Sequence, residues 1–203
     1  MGKFRSGIGV IDSFMGGSGV TMGMLPDHDS HPAIREALGI RNNDNDLLGR
    51  YQTPLEYVPR GALDDFSKYE LVFDAGRPDW WTEAHTALAV RQFRDDIEPR
   101  IRSGHLEQKG HLDLSTATSI PEDMTIRAGG GMILDGLTAI PKGVTLSAWG
   151  DLYLRNVTSI SDGVSLRSAA GDIYLDRMRA IPKGVKVKAL TVWGLGGGMI
   201  ASG

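Results

Sequence analysis

The 203-residue chain contains no cysteine, which removes disulfides, thiolate zinc sites, iron–sulfur clusters and a cysteine nucleophile. It lacks any run approaching the ~18 to 20 apolar residues of a membrane span, so a soluble chain with no membrane partner is expected. Lys3 and Arg5 come early, but Asp12 interrupts the apolar stretch behind them and no small-residue cleavage site follows, so this start does not read as a signal peptide. Charge of one sign is also scarce. A formal net charge of −3 and a pI near 5.9 give no chain-wide attraction to phosphates, which disfavours nucleic acid as a partner.

Hydrophobic residues, at 41%, are sufficient for a core, and glycine, at 27 residues, is the one excess. Its placement divides the chain. Residues 1–50 carry Gly16, Gly17, Gly19 and Gly23, a methionine patch (Met15, Met22, Met24) and the polar run 42–46, and read as an extended arm. Within it Ser30, Pro32 and Gly39 mark the cap, first turn and end of a short helix. Residues 51–104 read as an α+β capping region with two strand-like runs, one over residues 70–73, and a helix over residues 79–98. Asp79 caps that helix, Ala84, Ala87, Leu88, Phe93 and Ile97 form its stripe, and Pro99 is expected to end it. Around Val58, Pro59 and Gly61 there is a faint echo of the repeat that follows.

That repeat occupies residues 105–195, before a Gly-rich tail at 196–203. Ile120, Ile140, Ile160 and Ile181 are spaced by 20, 20 and 21 residues. Six positions earlier stand Leu114, Leu134, Leu154 and Leu175, and two before those Leu112, Met132, Leu152 and Ile173. After the isoleucine comes a proline or serine, then glycine in three coils (Gly143, Gly163, Gly184), with Asp123 as the exception. A second alternating pair follows, as in Val144 and Leu146, and Gly110, Gly130, Gly150 and Gly171 lead into the next leucine pair. Period-two alternation means strand, and glycine suits the corners. The apolar side chains of one such coil cannot offset the entropy of ordering it, but coils stacked ~4.8 Å apart share hydrogen bonds and a continuous interior. The expected fold is therefore mainly β: a short parallel β-solenoid of about four 20-residue coils, with an N-terminal α-helical cap and an extended N-terminal arm. A leucine-rich-repeat horseshoe does not fit, because Val157 and Ser159 stand where its asparagine and next leucine belong. Calcium-binding nonapeptide coils have the wrong period.

The pattern of an apolar pair, a glycine corner, Leu-x-Leu and Ile-Pro-x-Gly resembles short solenoid repeats in bacteriophage and prophage proteins, over about residues 106–195. That resemblance implies a phage-encoded structural or host-interaction protein.

Residues with chemical potential do not converge in the sequence. His28 and His31 flank Asp29 in what reads as a polar loop capping a helix, and His85 beside Glu83 lacks the spacing of a zinc protease. His105 and His111 stand at the start of the solenoid without evident partners. Neither glycine string, 129–131 or 196–198, has the lysine and serine of a phosphate loop, and no serine sits in a nucleophile elbow. Catalytic, metal-binding and cofactor-binding residues are therefore not assigned, and no enzyme is expected.

Surface columns say more, because outward residues of successive coils align. Asp113, Ile133, Tyr153 and Tyr174 form one column, whose last three members make an apolar ridge suited to contact. Arg127, Ser147, Arg167 and Lys188 form another, which with Lys142, Lys183 and Lys186 makes a mildly basic side. Trp80 and Trp81 anchor either the cap or a partner. The leading expectation is a non-enzymatic virion component (capsid, neck, tail or decoration protein) that binds other virion subunits, or itself, through its arms and solenoid. A phage inhibitor of a host defence or regulatory protein, acting in the host cytoplasm, is the second. A carbohydrate-binding or carbohydrate-processing solenoid is the third, and it requires aromatic and carboxylate residues in one groove.

Overall fold

A computed structural model describes residues 4–13, 17–24, 52–73, 77 and 82–199. The chain is mainly β, and residues from His105 onward wind into a parallel β-solenoid capped at its N-terminal end by a helix.

The solenoid has three sides. Strands β5 (His105–Gln108), β7 (Thr125–Ala128), β10 (Thr145–Ala148), β13 (Ser165–Ser168) and β15 (Lys186–Lys188) stack in parallel as the first. Strands β6 (Leu112–Asp113), β8 (Met132–Ile133), β11 (Leu152–Tyr153), β14 (Ile173–Tyr174) and β16 (Val192–Trp193) form the second. On the third, β9 (Ala139–Ile140) pairs with β12 (Ser159–Ile160). Register follows the repeat: Leu146 stands between Ile126 and Leu166, and Leu152 between Met132 and Ile173. Each aligned position faces the same way, so one apolar residue per position builds a continuous interior. Leu114, Leu134, Leu154 and Leu175 are fully buried, and so are Ile120, Ile140 and Ile160 or nearly so. A further inward column, Ala117, Leu137, Val157 and Met178, is buried at the turn before the third side.

The one long spacing has a local cause. Ser165 pairs with Thr145 at an offset of 20, whereas Ile173 pairs with Leu152 at 21, so the extra residue lies in the corner after β13. There Ser168 stands where other coils have Ala128 and Ala148. Its hydroxyl donates to Gly150 O at 2.8 Å and accepts from Gly171 N at 3.0 Å, satisfying backbone groups that the wider corner displaces. The corner before the first side needs left-handed backbone: Gly143, Gly163 and Gly184 have φ of 72°, 75° and 87°, and Asp123, the exception in the sequence, adopts φ 56°. Aspartate is among the few side chains that tolerate that region.

Two expectations about the cap are corrected. Helix α1 spans Glu83–Arg102 with Pro99 inside it, so proline does not stop the helix. Its buried stripe is Ala89, Phe93, Ile97 and Ile101, four residues apart, while Ala84 and Ala87 are exposed. Ile101 explains both: ending at Pro99 would leave it outside the core it shares with Leu106 and Leu112. The chain instead ends the helix at Gly104, φ 75°, whose amide donates to Ile101 O. Expected features at Asp79 and over residues 30–39 lie outside the described residues.

The described part of the expected arm is paired. Strands β1 (Phe4–Ser13) and β2 (Gly17–Met24) form an antiparallel hairpin, and β1 also pairs with β3 (Gln52–Pro59), which pairs with β4 (Tyr69–Phe73). Apolar residues do alternate here, Ile8 and Val10 in β1 and Val20, Met22 and Met24 in β2, but they are interleaved with glycines, which count against a strand. The faint echo near Gly61 has a structural counterpart: Leu63 N donates to Ser119 O and Thr118 N to Gly61 O, both at 2.9 Å, extending the third side by one partial coil.

Between this segment and α1, Tyr57 stacks on Phe93 with ring centroids 5.1 Å apart and lies 4.8 Å from Tyr69. Tyr69 Oη donates to Leu63 O at 2.6 Å, and burial pushes its phenol well above the ordinary tyrosine range. A folded-state pKa raised in this way gives stability that is fully present below pH ~10 and is lost as pH rises from there towards the folded value. Tyr69→Phe is expected to lower stability by about 1 kcal/mol at neutral pH and to flatten the loss above pH ~10. Urea melts across the alkaline range measure both.

Candidate interaction surface

On the second side, inward Leu152 alternates with outward Tyr153, so the pairing that aligns the core also aligns an outer column: Asp113, Ile133, Tyr153, Tyr174 and Trp193. The ridge expected at Ile133, Tyr153 and Tyr174 is therefore formed, with all three half-buried. The Tyr153 and Tyr174 rings stack with centroids 4.8 Å apart and planes 14° from parallel, close to one coil step.

Carboxylates frame this ridge on both flanks. Tyr153 Oη donates to Asp151 Oδ2 at 2.9 Å, and Trp193 Nε1 donates to Asp172 Oδ2 at 3.0 Å. Asp151 Oδ1 also accepts from Asp172 N at 2.9 Å. On the other flank Arg155 bonds Asp135 at 3.2 Å, lies 3.9 Å from Asp176, and places its guanidinium 4.5 Å from the Tyr153 ring centroid and 5.9 Å from that of Tyr174. Burial, then the bond to Asp151 and its negative charge, raises the Tyr153 phenol; burial and the Asp151 and Asp172 charges raise that of Tyr174. Both phenols stay protonated at neutral pH and remain hydrogen-bond donors.

A groove of ≈ 400 Å³ opens beside the ridge, lined by His111, Asp113, Ile133, Gly131, Asp151 and Tyr153 among others. His111 Nδ1 accepts from Gly131 N at 2.8 Å, which leaves the ring's proton on Nε2. Aromatic, apolar and carboxylate groups thus share one concave site on a rigid sheet.

The basic column lies on the first side. Arg127, Ser147, Arg167 and Lys188 are in register, beginning from Glu107. Arg127, Arg167 and Lys188 are exposed, with Lys186 beside Lys188, and none forms an ion pair with a described residue. The column borders a groove of ≈ 440 Å³ whose rim includes Trp149, 65% exposed. Lys142 and Lys183 belong instead to the turns leading into the first side. Trp80 and Trp81 lie outside the described residues, as do His28 and His31.

The sequence reading overlooked Trp193, Arg155, Asp151 and Asp172. Trp193 pairs with Tyr174 at an offset of 19, outside the 20- to 21-residue period that reveals the other members. Arg155 and the two aspartates do occupy constant repeat phases, but their importance depends on how they lean towards the tyrosines. No helix among the described residues is long and apolar enough to cross a membrane, and no three of their His, Asp or Glu side chains are grouped to hold a metal. Compared with known proteins, the chain matches no family model, no curated protein and no solved structure.

Proposed function

We propose that this chain is a non-catalytic, protein-binding component of a bacteriophage particle, contacting neighbouring subunits through its solenoid. The observation that carries this reading is the half-exposed ridge of Ile133, Tyr153, Tyr174 and Trp193. Such residues form the anchors of protein interfaces, and here the sheet fixes them before binding, so little further entropy is lost on contact. The resemblance of the repeat to phage and prophage solenoids supplies the setting. Gradient-purified particles are expected to contain the chain at fixed stoichiometry to the coat protein, as read by quantitative mass spectrometry. Recovery only from the soluble fraction, bound to one host protein, overturns this reading in favour of a phage-encoded inhibitor.

The groove favours a second reading. A half-buried tyrosine beside Asp113, Asp151 and His111 has the composition of a saccharide subsite, with an apolar surface and flanking hydrogen-bond acceptors. Glycan-array binding that disappears in Tyr153→Ala supports it, and an array without signal removes it.

A further inference from the structure

The two broad sides of the solenoid carry opposite charge. Beside the ridge stand five carboxylates, Asp113, Asp135, Asp151, Asp172 and Asp176, against one guanidinium, Arg155. The first side presents five exposed cations, Lys109, Arg127, Arg167, Lys186 and Lys188, against one carboxylate, Glu107. Asp113, Asp151 and Asp172 are held only by neutral donors: Ser115 N, Tyr153 Oη with Asp172 N, and Trp193 Nε1. Their charges are uncompensated within the described chain.

Order within the columns is more specific than net charge. On the acidic side, coil by coil, the outer column reads Asp135, Arg155, Asp176: acid, cation, acid. On the basic side the same three coils read Arg127, Ser147, Arg167, and the register places one on each successive strand. The cations are two coils apart, about 9.6 Å, as are the acids. Serine interrupts the cation column at the coil where an arginine would meet Arg155. Because the central member is the unlike one in each column, the match holds whether the solenoid axes run parallel or antiparallel. Arg155 also shows what the face accepts: a guanidinium over the tyrosine rings, paired to carboxylates on either side.

We infer that the two faces bind each other between copies of this chain, Arg127 and Arg167 of one copy docking on Asp135 and Asp176 of the next, with Ser147 opposite Arg155. Trp149, at the rim of the basic face, adds apolar area beside the partner's ridge. The contact joins different surfaces of each copy, so it leaves one face free at either end and builds an open row or a closed ring. The inference rests on the reading of the solenoid as a contact surface. The two remain separable: particle composition tests that reading, and association of the pure chain tests this one.

Sedimentation velocity of the full chain is the experiment, at about 50 mM and about 500 mM salt. Concentration-dependent association at low salt that weakens at high salt is expected. Arg127→Gln with Arg167→Gln is expected to weaken it by more than about tenfold, as is Asp135→Asn with Asp176→Asn. Mixed together, these two variants retain one good face each and should give a dimer and nothing larger. Ser147 decides the register. Ser147→Arg is expected to weaken association several-fold and Ser147→Glu to strengthen it, whereas unordered attraction between a basic and an acidic face predicts the reverse. Circular dichroism melts matching the unmodified chain confirm that each variant is folded. A chain that stays monomeric at low salt and tens of micromolar, or a Ser147→Arg variant that associates more tightly, overturns the inference.

Discussion

Gly129→Ala is expected to lower stability by about 3 kcal/mol or more, a fall in thermal midpoint on the order of 6–12 °C. A Cβ at this position stands 1.8 Å from Lys109 O and 2.6 Å from its carbonyl carbon, both backbone atoms of the preceding coil. No rotamer change relieves that contact. The coils must separate locally, and the Gly129 N to Gln108 O bond of 2.8 Å is the first to lengthen. The next corners place Trp149 and Ala169 at the corresponding point, their amides donating to Ala128 O and Ala148 O, so the requirement belongs to the approach of Lys109 and not to the corner in general. Gly163→Ala is the control. Its Cβ has no neighbour nearer than 3.8 Å, but φ is 75°, so only the left-handed backbone is penalised, about 1–2 kcal/mol. Thermal melts of the two variants separate close approach from conformational strain. Equal losses would show that the Lys109 contact relaxes at no cost.

The same distinction explains how much of the fold is legible in the sequence. Ile120, Ile140 and Ile160 reveal the coil because burial acts on every repeat at the same phase, and periodicity exposes a pressure that is itself periodic. Pro99 misleads because the local preference of proline to end a helix competes with burial of Ile101, a tertiary gain that only the packed cap supplies. The hairpin of β1 and β2 does carry an apolar period, Ile8 and Val10 in one strand and Val20, Met22 and Met24 in the other, but the glycines interleaved with it make the segment read as an extended arm. The surface divides similarly. Ile133, Tyr153 and Tyr174 are legible as a column because register carries them. Trp193 is missed because the last corner is shorter, and the carboxylate frame is missed because the bonds to Tyr153 and Trp193 are side-chain geometry.

Position along the stack should also set what a core substitution costs. Leu146 and Val187 occupy the same inward position two strands apart on the first side: Leu146 pairs with Ile126 and Leu166, and Leu166 with Val187. Leu146 is fully buried, enclosed by a coil on either side, and Leu146→Ala is expected to cost about 3–4 kcal/mol, removing apolar contacts and leaving a cavity that two paired strands prevent from collapsing. Val187 is half-buried in β15, the outermost strand of its sheet, beside the half-buried Val185 and Ala189. Val187→Ala is expected to cost no more than about 1 kcal/mol, because fewer atoms are lost and the terminal coil opens without breaking the coils beneath it. A stack whose units contact only their neighbours therefore predicts an exchange gradient: amide protection of β15 falls in Val187→Ala while that of β10 is unchanged, whereas Leu146→Ala lowers both. Urea denaturation gives the two energies, and amide hydrogen exchange resolved by strand gives the gradient. Equal losses at β10 and β15 in Val187→Ala would mean that the coils open as one cooperative unit, with the last coil as firmly held as the centre.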